Sequence, residues 1–161
     1  MSGKPESLTQ WPAWDGNSTV ARLRAAFPTA VLEDIEFRGE RTVIVQLAQI
    51  SEVLAFLRDE PECDFAMLTD VTAIHWPARV EPFDVLWHLY SFSRNLRLRV
   101  KCRVKDRVPS AVPLWSGAGW MERECFDMFG ILFDGHPDLR RILMPDDFDG
   151  HPLRKEFPLK R

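Results

Sequence analysis

The chain has 161 residues, 45% of them apolar and 28% charged, which suits one domain with a hydrophobic core and excludes wholesale disorder. Its net charge of −3 gives no footing for a general nucleic-acid binder. No apolar run approaches the roughly 20 residues of a membrane-crossing helix, and Met1–Gln10 has no basic-then-apolar leader pattern, so a protein kept in the cytoplasm is expected.

The spacing of Val20, Leu23 and Phe27 predicts a short helix that starts at Asn17 or Ser18 and ends before Pro28. Two strands follow, over about 30–37 and 41–47, with Arg38-Gly39-Glu40 as the hairpin turn between them. Val53, Leu54 and Leu57 mark a second helix, over 51–58. Residues 65–74 are apolar on both faces and are expected to form a central strand; 83–93 read similarly. After a turn at Arg94-Asn95, residues 96–105 alternate without a break. Leu96, Leu98, Val100, Cys102 and Val104 make one face apolar, and Arg97, Arg99, Lys101, Arg103 and Lys105 make the other basic. The order αββαβββ predicts a two-layer α+β domain with a mixed sheet.

Past a linker with prolines and tryptophan, a third helix is expected over 118–129, closed by Gly130 in a Schellman cap with Phe126 against Ile131. Met121, Cys125 and Met128 are spaced to face inward. Glu122, Arg123, Glu124 and Asp127 then fall on the solvated sides, with Arg123 and Asp127 able to pair one turn apart. Residues 131–161 show no periodicity and carry prolines at 137, 145, 152 and 158, yet they hold too many large apolar groups for a disordered tail. Such a tail can wrap its own domain, wrap another protein, or hold regular elements that periodicity misses; isolated apolar anchors among arginines favour the second. Within it, Phe133-Asp134-Gly135-His136-Pro137 recurs as Phe148-Asp149-Gly150-His151-Pro152, so the same Asp-Gly corner is expected twice. The expected division is a flexible N-terminus (1–16), an α+β domain (17–130) and an extended docking tail (131–161).

Chemistry finds little support. Cys63, Cys102 and Cys125 are scattered, with no C-x-x-C pair, no G-x-G-x-x-G and no phosphate-binding loop. His136 and His151 lie near aspartates but lack the helical spacing of metal ligands, so bracing of the Asp-Gly turns is the expectation. His75 and His88 read as structural histidines on strands. Glu122, Glu124 and Asp127 have no nucleophile beside them. The basic strand face suits solvent, an acidic protein, anionic lipid headgroups or, last in rank, nucleic acid.

Two stretches carry a resemblance. Glu122-Arg123-Glu124-Cys125-Phe126-Asp127-Met128-Phe129-Gly130-Ile131 is followed by Gly135-His136-Pro137-Asp138-Leu139-Arg140-Arg141-Ile142-Leu143. Together they resemble the signature of the 30 kDa subunit family, which is the C subunit of bacterial NADH–quinone oxidoreductase (respiratory complex I), with chloroplast and hydrogenase-associated relatives. Gly150-His151-Pro152-Leu153-Arg154-Lys155-Glu156-Phe157-Pro158 resembles the family's closing segment. The resemblance implies a subunit of the peripheral arm, on the cytoplasmic side of the membrane and attached to it only through other chains. It implies contacts with the quinone-site (49 kDa-type) subunit and neighbouring iron–sulfur subunits. FMN and iron–sulfur clusters would sit in those partners, with no cofactor, metal or catalytic residue in this chain. Matched to the motif, Glu122, Arg123, Glu124, Asp127, His136, Arg140, Arg141, His151, Arg154, Lys155 and Phe157 are the expected docking residues. The rival expectations are the equivalent subunit of a membrane hydrogenase or other donor-specific dehydrogenase and, more distantly, a metal-dependent hydrolase using His136 and His151.

Overall fold

The unbroken alternation of residues 96–105 fixes the middle of the sheet. The computed structural model describes residues 16–158, so the expected flexible N-terminus lies almost wholly outside the described residues. In chain order it has α1 (Gly16–Ala26), β1 (Val31–Phe37), β2 (Glu40–Val45), a 3-10 turn (Leu47–Gln49), α2 (Ile50–Asp59), β3 (Met67–His75), β4 (Phe83–Ser91) and β5 (Leu96–Val104). β6 (Arg107–Pro109), α3 (Ala118–Phe129) and β7 (Leu132–Asp134) follow. This is the expected αββαβββ order with a C-terminal helix.

Five strands form one sheet in the order β1-β2-β5-β4-β3. Only the β2–β5 pair is parallel; the others are antiparallel. The β1–β2 hairpin turns through Arg38 (φ 54°) and Gly39 (φ 78°), the two left-handed residues that a mirror-type hairpin turn requires. Leu96, Leu98, Val100, Cys102 and Val104 are each at most 5% exposed, and share one core with Val20 and Leu23 of α1 and Val53, Leu54 and Leu57 of α2. Each fully buried leucine or valine contributes about 1.5–3 kcal/mol.

Two expectations are corrected. β3 is an edge strand, not a central one: α3 packs along it, so an edge strand acquires the apolar cover that sequence alone attributed to the sheet interior. The Cys125 thiol donates to the Val71 carbonyl at 3.5 Å, and the Val71 N–H approaches the Met121 sulfur at 3.2 Å. Secondly, the tail is not wholly irregular. β7 pairs in parallel with β6, and Ile131 and Phe133 are 0% and 3% exposed in the main core, so the core continues past Gly130.

Candidate docking face around helix α3

The segment that carries the sequence motif is α3 with the chain that follows. Gly130 (φ 74°) ends the helix, and its N–H donates to the Phe126 carbonyl at 2.8 Å. That bond is the simpler left-handed cap rather than the double-bonded Schellman form. A Cβ at position 130 would stand 2.5 Å from His151 Nε2 and 2.6 Å from Arg154 Nη2, so the tail comes back against the helix end.

Asp127 is the anchor of that return. Its side chain is fully buried, which corrects the expectation of a solvated helix face. Oδ2 accepts the consecutive main-chain N–H groups of Ile142, Leu143 and Met144 at 3.0, 2.7 and 2.9 Å. Oδ1 accepts from Arg141 at 2.7 Å, so the expected Arg123–Asp127 pair is replaced by Arg141–Asp127. Burial alone would raise this carboxyl, but the Met144 and Leu143 N–H groups, Arg141 and the Ile142 N–H hold it down at about 2. Arg141 also donates to the Phe148 and Gly150 carbonyls at 2.9 and 3.0 Å, closing the 141–150 loop.

Glu122 is the second buried carboxylate, at 0% exposure. It accepts the Ser110 hydroxyl and the Ala111 N–H, each at 2.6 Å, and so ties α3 to the linker after β6. Its pKa is raised: burial outweighs the Ser110 and Ala111 hydrogen bonds and the nearby His136. Neither Ser110 nor Ala111 stood out in the sequence, because a buried carboxylate's partners need not be near it in the chain.

The remaining motif residues also bond inside the chain. Arg123 donates to the Arg140 and Arg141 carbonyls at 3.1 and 3.0 Å. Asp138 N–H donates to His136 Nδ1, so Nε2 carries the proton that meets the Gly119 carbonyl at 3.0 Å. His151 Nδ1 donates to the Asp127 carbonyl at 2.9 Å, and Arg154 donates to the Phe129 carbonyl at 2.6 Å. Phe157 stacks on Phe148 with ring centroids 5.9 Å apart. Each histidine thus braces its corner against α3, a stronger tie than the local turn bracing expected. Glu124, Arg140 and Lys155 remain exposed. Residues 136–158 therefore wrap their own domain, contrary to the favoured expectation, because His136, Arg141, His151, Arg154 and the main chain of 142–144 find their partners on α3.

Three large apolar side chains of this face also stay in solvent. Trp120 on α3 is 65% exposed, and Leu143 and Leu153 on the tail are 56% and 51% exposed. Arg123 lies over the Trp120 ring at 5.1 Å, and its bonds to the tail carbonyls join the two surfaces. The basic sheet face, by contrast, is balanced within the chain. Arg99 pairs with Glu40 and Arg103 with Glu33, each at 2.7 Å, while Lys101 stands 3.3 Å from buried Asp84. His88 faces the same side and is pushed down by burial and by Arg99.

No three His, Cys, Asp or Glu side chains among the described residues gather as a metal site. The two buried carboxylates of α3, Glu122 and Asp127, are each enclosed by fixed donors. No helix among the described residues is long and apolar enough to cross a membrane.

Residues 43–161 match the family described as "Respiratory-chain NADH dehydrogenase, 30 Kd subunit". The NADH-quinone oxidoreductase C subunit of Rhodopseudomonas palustris (strain BisB18) is 48% identical over 139 residues, covering 85% of this chain and 70% of the relative. The corresponding protein of Roseiflexus sp. (strain RS-1) is 47% identical over 150 residues, covering 91% and 86%. A chain in the membrane-bound sulfane sulfur reductase, an archaeal respiratory membrane complex, superposes with a TM-score of 0.74 at 26% identity, covering 89% of this chain and 86% of that one.

Proposed function

The chain belongs to the respiratory-chain NADH dehydrogenase 30 kDa subunit family, and from that premise we propose that it is a docking subunit of a proton-translocating NADH–quinone oxidoreductase. In this reading it sits in the peripheral arm on the cytoplasmic side of the membrane. It binds the quinone-site subunit and neighbouring iron–sulfur subunits, and FMN and the clusters that carry electrons from NADH to quinone belong to those partners. The observation that carries a docking rather than a catalytic role is the chemistry of the α3 face. Glu122, Asp127, Arg123, Arg141, Arg154 and both histidines are bonded within the chain, whereas Trp120, Leu143 and Leu153 are left large, apolar and exposed. Exposed aromatic and aliphatic anchors on a rigid support are what a protein interface uses.

Likeness to the sulfane sulfur reductase chain favours a second reading, the equivalent subunit of a complex with another electron donor. The higher identity to NADH-quinone oxidoreductase subunits supports the first. Affinity purification from detergent-solubilised membranes decides between them. The first reading expects the quinone-site subunit together with NADH-oxidising subunits; recovery of a sulfur- or hydrogen-reacting set overturns it. Trp120→Ala, Leu143→Ala and Leu153→Ala, made singly, should leave melting of the free chain nearly unchanged and lower recovery in the complex. Full recovery of all three would refute this docking face.

A further inference from the structure

Near the end of the tail, one imidazole nitrogen faces two different tail groups. His75, the last residue of β3, is 5% exposed and stacks on Phe83 with ring centroids 4.8 Å apart. Its Nδ1 accepts the Lys155 main-chain N–H at 3.1 Å. Oε2 of Glu156 stands 3.3 Å from the same Nδ1. The lone pair that takes the amide exists only on the neutral ring; an imidazolium has N–H at both positions and accepts nothing. Its Nδ1–H would instead point a charged donor at the waiting Glu156 carboxylate.

We propose that His75 is a proton-operated latch with two positions for the end of the tail. The neutral ring holds the Lys155 main chain, and the charged ring lets that amide go and holds the Glu156 side chain. The exchange needs little movement, since both tail groups already lie within 3.3 Å of the nitrogen. Histidine is the side chain that ordinarily changes charge between about pH 5 and pH 8.

The charged neighbours are few. Glu156, 60% exposed, is the carboxylate in reach of the ring. Arg154 opposes protonation: its guanidinium lies over the Phe83 ring at 5.4 Å, and Phe83 is the ring on which His75 stacks. The Lys155 side chain is exposed. From β4, Asp84 is turned to Trp76, Arg79 and Lys101, and from α3 the Phe129 ring packs edge-on against Phe83.

The test is amide exchange of Lys155, read by NMR on the full chain between pH 8 and pH 5 and corrected for intrinsic rates. Protection of Lys155 should fall by about tenfold as the ring charges, the loss of one hydrogen bond. The Leu153 amide, bonded to the Met128 carbonyl at 3.0 Å, serves as an internal reference and should hold. His75→Asn places a non-titrating acceptor near the Nδ1 position, so Lys155 protection should become independent of pH. Glu156→Ala removes the acid-side position and should leave residues 155–157 less protected than wild type at pH 5. Constant Lys155 protection in the wild type, or the same pH dependence in His75→Asn, would overturn the latch. The ring itself gives an independent readout without substitution: nitrogen shifts showing the neutral proton on Nδ1 would overturn it too.

Discussion

Removing the charge of Asp127 isolates the tie between α3 and the tail. Asp127→Asn keeps the shape but cannot satisfy both sides of the site. If its oxygen takes the place of Oδ2 and accepts from Ile142, Leu143 and Met144, its amide N–H₂ confronts the Arg141 guanidinium. Turned the other way, it faces three main-chain N–H groups with a donor. The carboxyl is held from its ordinary 3.8 down to about 2, which corresponds to about 2 kcal/mol favouring the anion in the folded chain. Because the folded value is depressed, this stability is present above the unfolded value and is lost as pH falls through about 2. The asparagine variant should therefore lose at least about 2 kcal/mol at neutral pH, and lose less than wild type between pH 5 and pH 2. For a chain of this size that is roughly 4–8 °C in melting temperature if tail and domain unfold together. If the tail opens first, the loss appears as faster amide exchange confined to residues 136–155. The assay is hydrogen exchange by mass spectrometry at neutral pH beside thermal melting. Unchanged exchange of that segment together with an unchanged melting temperature would refute the anchor.

Gly130→Ala forces a side chain onto a left-handed residue and into His151 and Arg154; exchange should quicken over 151–157 with a cost of at least about 1–2 kcal/mol. Glu122→Ala strands the Ser110 hydroxyl and the Ala111 N–H and should cost about 2–3 kcal/mol in denaturant titration. Glu122→Gln should cost less, because the burial that raises the Glu122 pKa weighs against the anion and spares a neutral amide. The stability penalty of Glu122 as an anion should grow as pH rises from its unfolded value towards its raised folded one, and Glu122→Gln should abolish that slope. Burial raises the thiols of Cys63 and Cys125, and that of Cys102 to about 12, so a disulfide reagent near pH 8 should label them only after denaturant is added. Arg99→Gln with Arg103→Gln breaks two surface pairs and should shift stability by about 1 kcal/mol or less, with assembly unaffected by salt.

The sheet was legible because strand alternation records burial directly: the face predicted from Leu96 to Val104 is the face that is buried. Gly130 was legible for a similar reason, since only a left-handed residue closes the helix there. Polarity on α3 misled. Helical spacing reports whether a residue is charged but not whether a distant segment will neutralise it, so Glu122 and Asp127 read as solvated. Their partners, Ser110 to Ala111 and Arg141 to Met144, lie 11 to 17 residues away with no periodicity linking them. The tail's apolar groups were counted correctly, but where they went depended on polar groups finding partners on α3. The three-residue strands β6 and β7 are too short for any pattern to announce.

The duplicated Phe-Asp-Gly-His-Pro corner has a physical use that only the fold reveals. Both glycines are left-handed, Gly135 at φ 83° and Gly150 at φ 93°, so the chain makes the same corner twice. The first histidine bonds the Gly119 carbonyl in the opening turn of α3; the second bonds the Asp127 carbonyl in its closing turn. Those carbonyls are eight residues apart, about 12 Å along a helix. One helix is therefore clasped at both ends by one repeated motif, with the Asp127 cluster between the corners. A tail fixed in this way has met its ordering cost within its own chain, so a partner covering Trp120, Leu143 and Leu153 would meet a rigid surface rather than a flexible strand. The docking proposal thus passes from an extended tail that grips a neighbour to a preformed face that a neighbour covers. The two differ measurably: a preformed face keeps slow exchange over residues 136–155 in the free chain, and only the surface around Trp120, Leu143 and Leu153 gains protection on assembly.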